Sequence, residues 1–258
     1  MSKKTKTLIK DTIEESEQLI SLYSTHETQY IFKEIPPVLW FGDLKSAKEK
    51  ILVISANPNK PDMPEDNPRI PYSTEWKKGG RDVTKLEKEY NEYFRTDLWR
   101  NPATNWFGQK DKDTGQGRIE QFLNGLDASF YENEKYKYQA IHIDLLPFAT
   151  TKHFTKIADQ LLEKNDWLSS WINKHIHDMI ELIHPKLIIV NGKTNFYYFN
   201  LCVNIGAQPY TLHHYGKNMI WISNSSPKII ATSFNMGSSC RLQSSDLVNI
   251  GKNINSKI

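Results

Sequence analysis

Cysteine is scarce in this chain. Only Cys202 and Cys240 occur, in unrelated local contexts, so neither a disulfide framework nor a zinc signature can be assembled, and a reducing cytoplasm is the expected compartment. No apolar run reaches the length of a membrane span, and Lys3, Lys4 and Lys6 are not followed by the apolar stretch of a secretion signal, so no membrane partner is expected. Net charge is low as well. Against 33 Lys+Arg stand 30 Asp+Glu, a balance of +3, and any nucleic-acid partner must be met by local clustering rather than bulk charge. Gly192-Lys193-Thr194 invites a phosphate-loop reading, but the glycine required five residues earlier is replaced by Leu187. Neither a Gly-x-Ser-x-Gly elbow nor a dinucleotide fingerprint is present. His175 and His177 are two apart and face different directions on a helix, which argues against a metal site. No metal and no cofactor is expected.

What the chain does have is a set of short, apolar, β-branched runs. Lys50 to Ser55, Gln139 to Asp144, Lys186 to Asn191 and Lys228 to Thr232 read as strands buried on both faces. Amphipathic stretches alternate with them. Thr7 to Tyr23, Val83 to Phe94 with Asp82 as its cap, Arg118 to Leu126, Ile157 to Glu163, Trp167 to Ile183, Asn195 to Val203 and Ser244 to Asn253 read as helices. Thr211 to Tyr215 and Met219 to Ser223 flank Gly216-Lys217-Asn218 as a hairpin. The expectation is an α/β chain, a three-layer α/β/α sandwich around a four-stranded parallel sheet. Its 258 residues suit one domain, 46–258, carrying an N-terminal helical decoration over 1–45.

Candidate site residues fall where these strands end. The first strand runs into Asn57-Pro58, and proline cannot extend a ladder, so one polar amide is delivered to a carboxyl-terminal strand tip. Taken alone the dipeptide reads more readily as a plain turn. The second strand brings Asp144 to a comparable position before Leu145-Leu146-Pro147-Phe148, and the third ends in Asn191 before Gly192-Lys193. Trp99 to Gly108 is an aromatic and asparagine-rich loop; Trp106 and Phe107 either pin it to the core or stack on a ligand. Pro61 to Gly80 is a long loop with no periodicity. After the fourth strand, Ser233 to Arg241 is small and polar, with Met236 as its exposed apolar crest.

This order of parts resembles the uracil-DNA glycosylase superfamily over roughly Ile51 to Ile254. The resemblance implies a DNA glycosylase that acts as a monomer on single- or double-stranded DNA. It casts Asn57 as the residue orienting water beneath the sugar and Asp144 as the reader of the base's pairing edge. Phe107, or Trp106, would stack on the flipped base, with Ser55 and Asn191 also lining the base site. Ser233, Asn235, Met236, Gly237, Ser238, Ser239 and Arg241, together with Lys193, would hold the DNA, Met236 filling the gap left in the stack.

Two departures redirect the expected substrate. Ser55 stands where members with the Asn-Pro motif usually carry glycine, and neither Thr232 nor Ser233 is the histidine of the family's His-Pro-Ser. Asp144 replaces the usual asparagine: a protonated carboxyl would donate to N3 of cytosine and accept from its N4, whereas His142, on the same strand face, would oppose protonation if charged. The reading is therefore a modified cytosine, such as the glucosylated hydroxymethylcytosine of phage DNA, with Pro61 to Gly80, Trp76 and Trp99 shaping a large pocket and anti-phage defence as the setting. The alternatives are uracil or deaminated-base repair, an inactive DNA-binding member, and a doubly wound enzyme of another class.

Overall fold

Ile51-Leu52-Val53-Ile54 has no polar side chain to leave in water, and it forms the centre of strand β1 (Lys50–Ser55), almost fully buried between two neighbours. In the computed structural model, which describes residues 3–24, 35–56, 73–94, 117–131, 134–150, 158–159, 166–203, 205, 209–236 and 242–258, β1 is an interior strand of a seven-stranded mixed sheet. The other strands are β2 (Ala128–Ser129), β3 (Tyr138–Asp144), β4 (Leu187–Val190), β5 (Tyr210–Tyr215), β6 (Asn218–Ser223) and β7 (Lys228–Thr232). Their order across the sheet is β2-β3-β1-β4-β7-β6-β5.

The expected four-stranded, all-parallel sheet is thus corrected to a larger mixed one. Strands β3, β1, β4 and β7 do pair in parallel, side by side, but β2 extends one edge in parallel and the β5–β6 hairpin adds two antiparallel strands to the other. Short β2 escapes a sequence reading because two residues carry no period. The hairpin joins the sheet because Ile220 and Ile222 alternate with half-buried neighbours and pair with Thr232 and Ile230. Its loop holds two residues rather than three, with Gly216 supplying the positive φ of 62°.

Seven helices accompany the sheet among the described residues: α1 (Lys3–Ser24), α2 (Ser73–Lys77), α3 (Val83–Glu92), α4 (Arg118–Gly125), α5 (Asp166–Ile183), α6 (Lys193–Cys202) and α7 (Ser244–Asn255). Asp82 caps α3 as its residue type suggests, accepting from the Thr84 and Lys85 N–H groups. Helix α2 falls inside the stretch expected to lack periodicity; Trp76 buries its ring there under the Arg81 guanidinium, 3.8 Å from the ring centre. The segment from Pro36 to Phe41 enters the core along the edge of β3, and Phe41 exchanges backbone hydrogen bonds with His142. The expected helix over Ile157 to Glu163 lies outside the described residues except at 158–159.

Chain direction is what positions a site. After β1 the chain lays down β2 and then β3 on one side of it, and only then crosses to the other side for β4, β5, β6 and β7. The direction reverses between β1 and β4, and in open α/β sheets the crevice at such a reversal, beyond the carboxyl ends of the strands, is where ligands bind.

Candidate active site

One polar residue ends each of the four central strands. Ser55 and Asp144 are register partners on β1 and β3. Val190 is level with Ile54 and with Ala231, so one step further Asn191 comes level with Ser55 and with Thr232. Level residues of parallel strands share a face, so Asp144, Ser55, Asn191 and Thr232 form a transverse polar row at the carboxyl edge. Asp144, Asn191 and Thr232 are at most 4% exposed, so each must find its hydrogen bonds within the protein.

Asn191 is the hub of this row, at the reversal point. Its Nδ2 donates to Asn235 Oδ1 at 3.3 Å and, at the long distance of 3.5 Å, to Ser55 Oγ, while its Oδ1 accepts from the Met236 N–H at 2.9 Å. Its own carbonyl accepts from Asn195 Nδ2 at 2.6 Å, anchoring the first turn of α6. Gly192 turns the chain from β4 into α6 with a φ of 100°, and a Cβ there would lie 3.5 Å from that of Asn235. The Gly192 N–H donates to Thr232 Oγ1 at 3.0 Å, and that hydroxyl donates to the Phe234 carbonyl at 2.8 Å. Lys193 is exposed at the start of α6.

Asp144 has a different partner. His142 Nε2 lies 3.1 Å from Asp144 Oδ1, both side chains being about 95% buried, and the imidazole sits among the rings of Phe41 and Phe130. The period of two on β3 puts them on one face, which the sequence already indicates; their separation is a finding of the structure. With Oδ1 beside the imidazole, the carboxyl group at this strand tip keeps a second oxygen for a polar ligand.

Of the expected site residues, the structure brings together Ser55, Asp144, Asn191 and Asn235, with Lys193 and Ser233 at the rim. Ser233 Oγ accepts from the Met219 N–H at 2.8 Å and so locks the β6–β7 pair. Met236 is corrected: it is fully buried in the hydrophobic core, not an exposed crest, because its N–H is drawn to Asn191 Oδ1 and the apolar side chain follows inward. Trp76 likewise packs into the core under Arg81. Asn57, Trp99, Trp106, Phe107, Gly237, Ser238, Ser239 and Arg241 lie outside the described residues.

Sequence reasoning gave Thr232 no role, although one more step along β7 puts its hydroxyl in the polar row. Among the described residues no group of three His, Cys, Asp or Glu side chains is placed to hold a metal, and no helix is long and apolar enough to cross a membrane. A cleft of about 940 Å³ opens at the opposite pole, where the strands begin, lined among others by Tyr138, His177, Glu181, His184, Lys186 and Ser226. It does not touch the polar row.

A scan against protein-family models finds no match, and comparisons with curated proteins and with solved structures return none either.

Proposed function

We propose that this chain is a DNA glycosylase of the uracil-DNA glycosylase kind, built as a three-layer α/β/α sandwich and acting on a modified cytosine. The observation that carries the reading is the level placement of Asp144 beside Ser55, two residues before Asn57, with Asn191 across the reversal point. A base reader on one strand tip and a water-orienting amide after the next is the arrangement such chemistry needs.

The mechanism follows from the proposed roles. The target nucleotide leaves the stack, because its glycosidic bond is out of reach inside a duplex. With Oδ1 engaged by His142, Asp144 turns its other oxygen to the pairing edge of the base. The bond between C1′ and the base nitrogen breaks, and its electron pair leaves with the base, whose developing charge is held by hydrogen bonds. Water oriented by Asn57 adds to C1′ on the opposite side; its proton is lost to solvent and the departed base takes one up. The products are a free base and an abasic site.

One observation favours a second reading, DNA binding without base removal. Where many family members keep a histidine, this chain has Thr232 and Ser233: the Thr232 hydroxyl is spent on backbone groups, and Ser233 Oγ accepts from the Met219 N–H, so no imidazole is there to meet a leaving base. The deciding experiment incubates the protein with DNA containing uracil, hypoxanthine, 5-hydroxymethylcytosine or its glucosylated form and scores free base and abasic sites. Release of the glucosylated base, abolished by Asn57→Ala and shifted toward uracil by Asp144→Asn, is expected. Binding with no abasic site from any substrate would establish the second reading, and uracil release alone would assign the chain to repair.

A further inference from the structure

From Leu182 through Ser245 the chain contains no aspartate or glutamate, although it carries 30 acidic residues overall. The same stretch holds Lys186, Lys193, Lys217, Lys228 and Arg241, and it builds β4, α6, the β5–β6 hairpin and β7. One half of the sheet is therefore cationic without a compensating carboxylate of its own. The overall charge of +3 conceals this, because the acids are gathered in the remainder of the chain.

Large apolar side chains are also left in water here. Tyr197 is 59% exposed, Leu201 56% and Leu212 43%. Lys193, Tyr197 and Leu201 are spaced by four and share one stripe of α6. Phe196 fixes α6 to the hairpin through ring contacts with Tyr210 at 5.1 Å and Trp221 at 5.4 Å. Leu212 is level with Trp221 and two residues from Tyr210, so it stands on the hairpin face that meets α6. The surface is continuous with the candidate site. Helix α6 starts from Gly192, bonded to Thr232, and the hairpin tip at Gly216-Lys217 is tied to the end of β7 through the two hydrogen bonds between Met219 and Ser233.

We propose that this face of α6 and the β5–β6 hairpin is a platform for single-stranded nucleic acid, whose bases lie on Tyr197, Leu201 and Leu212 and whose phosphates are held by Lys193 and Lys217. A segment that brings five cations and no carboxylate of its own, with the neighbouring acid Asp159 engaged by the Tyr198 hydroxyl at 2.6 Å, complements a polyanion better than it does a protein of mixed charge, and an exposed ring binds bases only where they are not already stacked in a duplex. The inference deepens the glycosylase reading and rests on it for the position of the reacting base; the platform would carry the strand on either side of it.

The test is equilibrium binding of a fluorescent single-stranded oligothymidylate and a duplex of equal length, at low and moderate salt, with base release scored in parallel. Tyr197→Ala should weaken single-strand binding by roughly 5- to 100-fold. Lys217→Glu should weaken it and flatten its salt dependence. Both positions are exposed, so an unchanged circular dichroism spectrum will certify the fold. Unaltered affinity in both variants, or a duplex bound as tightly as the single strand, overturns the platform. So does light scattering that shows a dimer disrupted by Tyr197→Ala with oligonucleotide affinity intact, since the patch would then join two copies of this chain. Tyr197-dependent binding with no base released from any substrate leaves the platform standing and removes the glycosylase; base release with Tyr197-independent binding does the reverse.

Discussion

Glu120 and His175 are both fully buried, and burial moves them in opposite directions. The Glu120 carboxyl is pushed up from 4.5 to about 7, although the Ser129 hydroxyl at 2.6 Å and the Phe130 N–H at 3.0 Å both donate to it. The His175 imidazole, stacked 5.3 Å from Trp171, is pushed down from 6.5 to about 3, by burial first and then by the charge of Lys174. Between pH 4.5 and 6.5 the folded chain therefore holds a proton on Glu120 and none on His175, while the unfolded chain does the opposite. The two proton counts match and their contributions to the pH slope cancel. Considered singly, Glu120 loses stability as pH rises through about 7 and His175 as pH falls below 6.5. Glu120→Gln should unmask the second slope. Denaturant unfolding across this range should show wild type gaining on the variant as pH falls from 7 to 4.5, by about 3 kcal/mol in total. Parallel stability curves would show that Glu120 does not titrate this way.

Helices α4 and α7 meet at two glycines, and here side-chain sterics outweigh helix propensity. A Cβ on Gly251 would stand 2.4 Å from the Phe122 carbonyl oxygen and 2.8 Å from the Gly125 Cα; one on Gly125 would stand 2.3 Å from the Val248 carbonyl. These are backbone atoms, so the helices must part. Alanine in place of glycine favours a helix by about 1 kcal/mol, yet overpacking of this kind typically costs about 1–3 kcal/mol or more beyond that. Gly251→Ala should therefore lower unfolding free energy in urea, and an unchanged or raised midpoint would mean that the contact yields easily. The glycines are plain in the sequence, but nothing there says that their helices cross, since Arg118 and Ser244 are far apart in the chain. Legibility followed the same rule elsewhere. The β-branched runs of β1, β3, β4 and β7 and the Asp82 cap report local physics and are readable. Met236 was misread because its burial depends on Asn191, on another strand. The same holds for the site: Ser55, Asp144, Asn191 and the imidazole of His142 on the face of Asp144 were legible from their own strands, whereas the closed hydroxyl of Thr232 required the register between strands.

At the scale of the molecule, the two poles of the sheet differ in kind. The carboxyl edge gathers committed polar groups and the amino edge opens into the cleft, so a small molecule lodged between Tyr138 and Lys186 would not compete directly for the polar row. The strand order adds a consequence in time. Strand β1 is flanked by β3 and β4, so the apolar run Ile51 to Ile54 is made long before either of its neighbours exists. Until synthesis has passed Tyr138 it has no edge to pair with, and only after Val190 is it enclosed on both sides. Protease added to ribosome-stalled chains should cut near Ile51 to Ile54 until β4 has emerged, and protection before Tyr138 has been made would contradict this order of events. An apolar run made early is thus sheltered late, which makes the emerging chain, rather than the finished one, the form most in need of a chaperone.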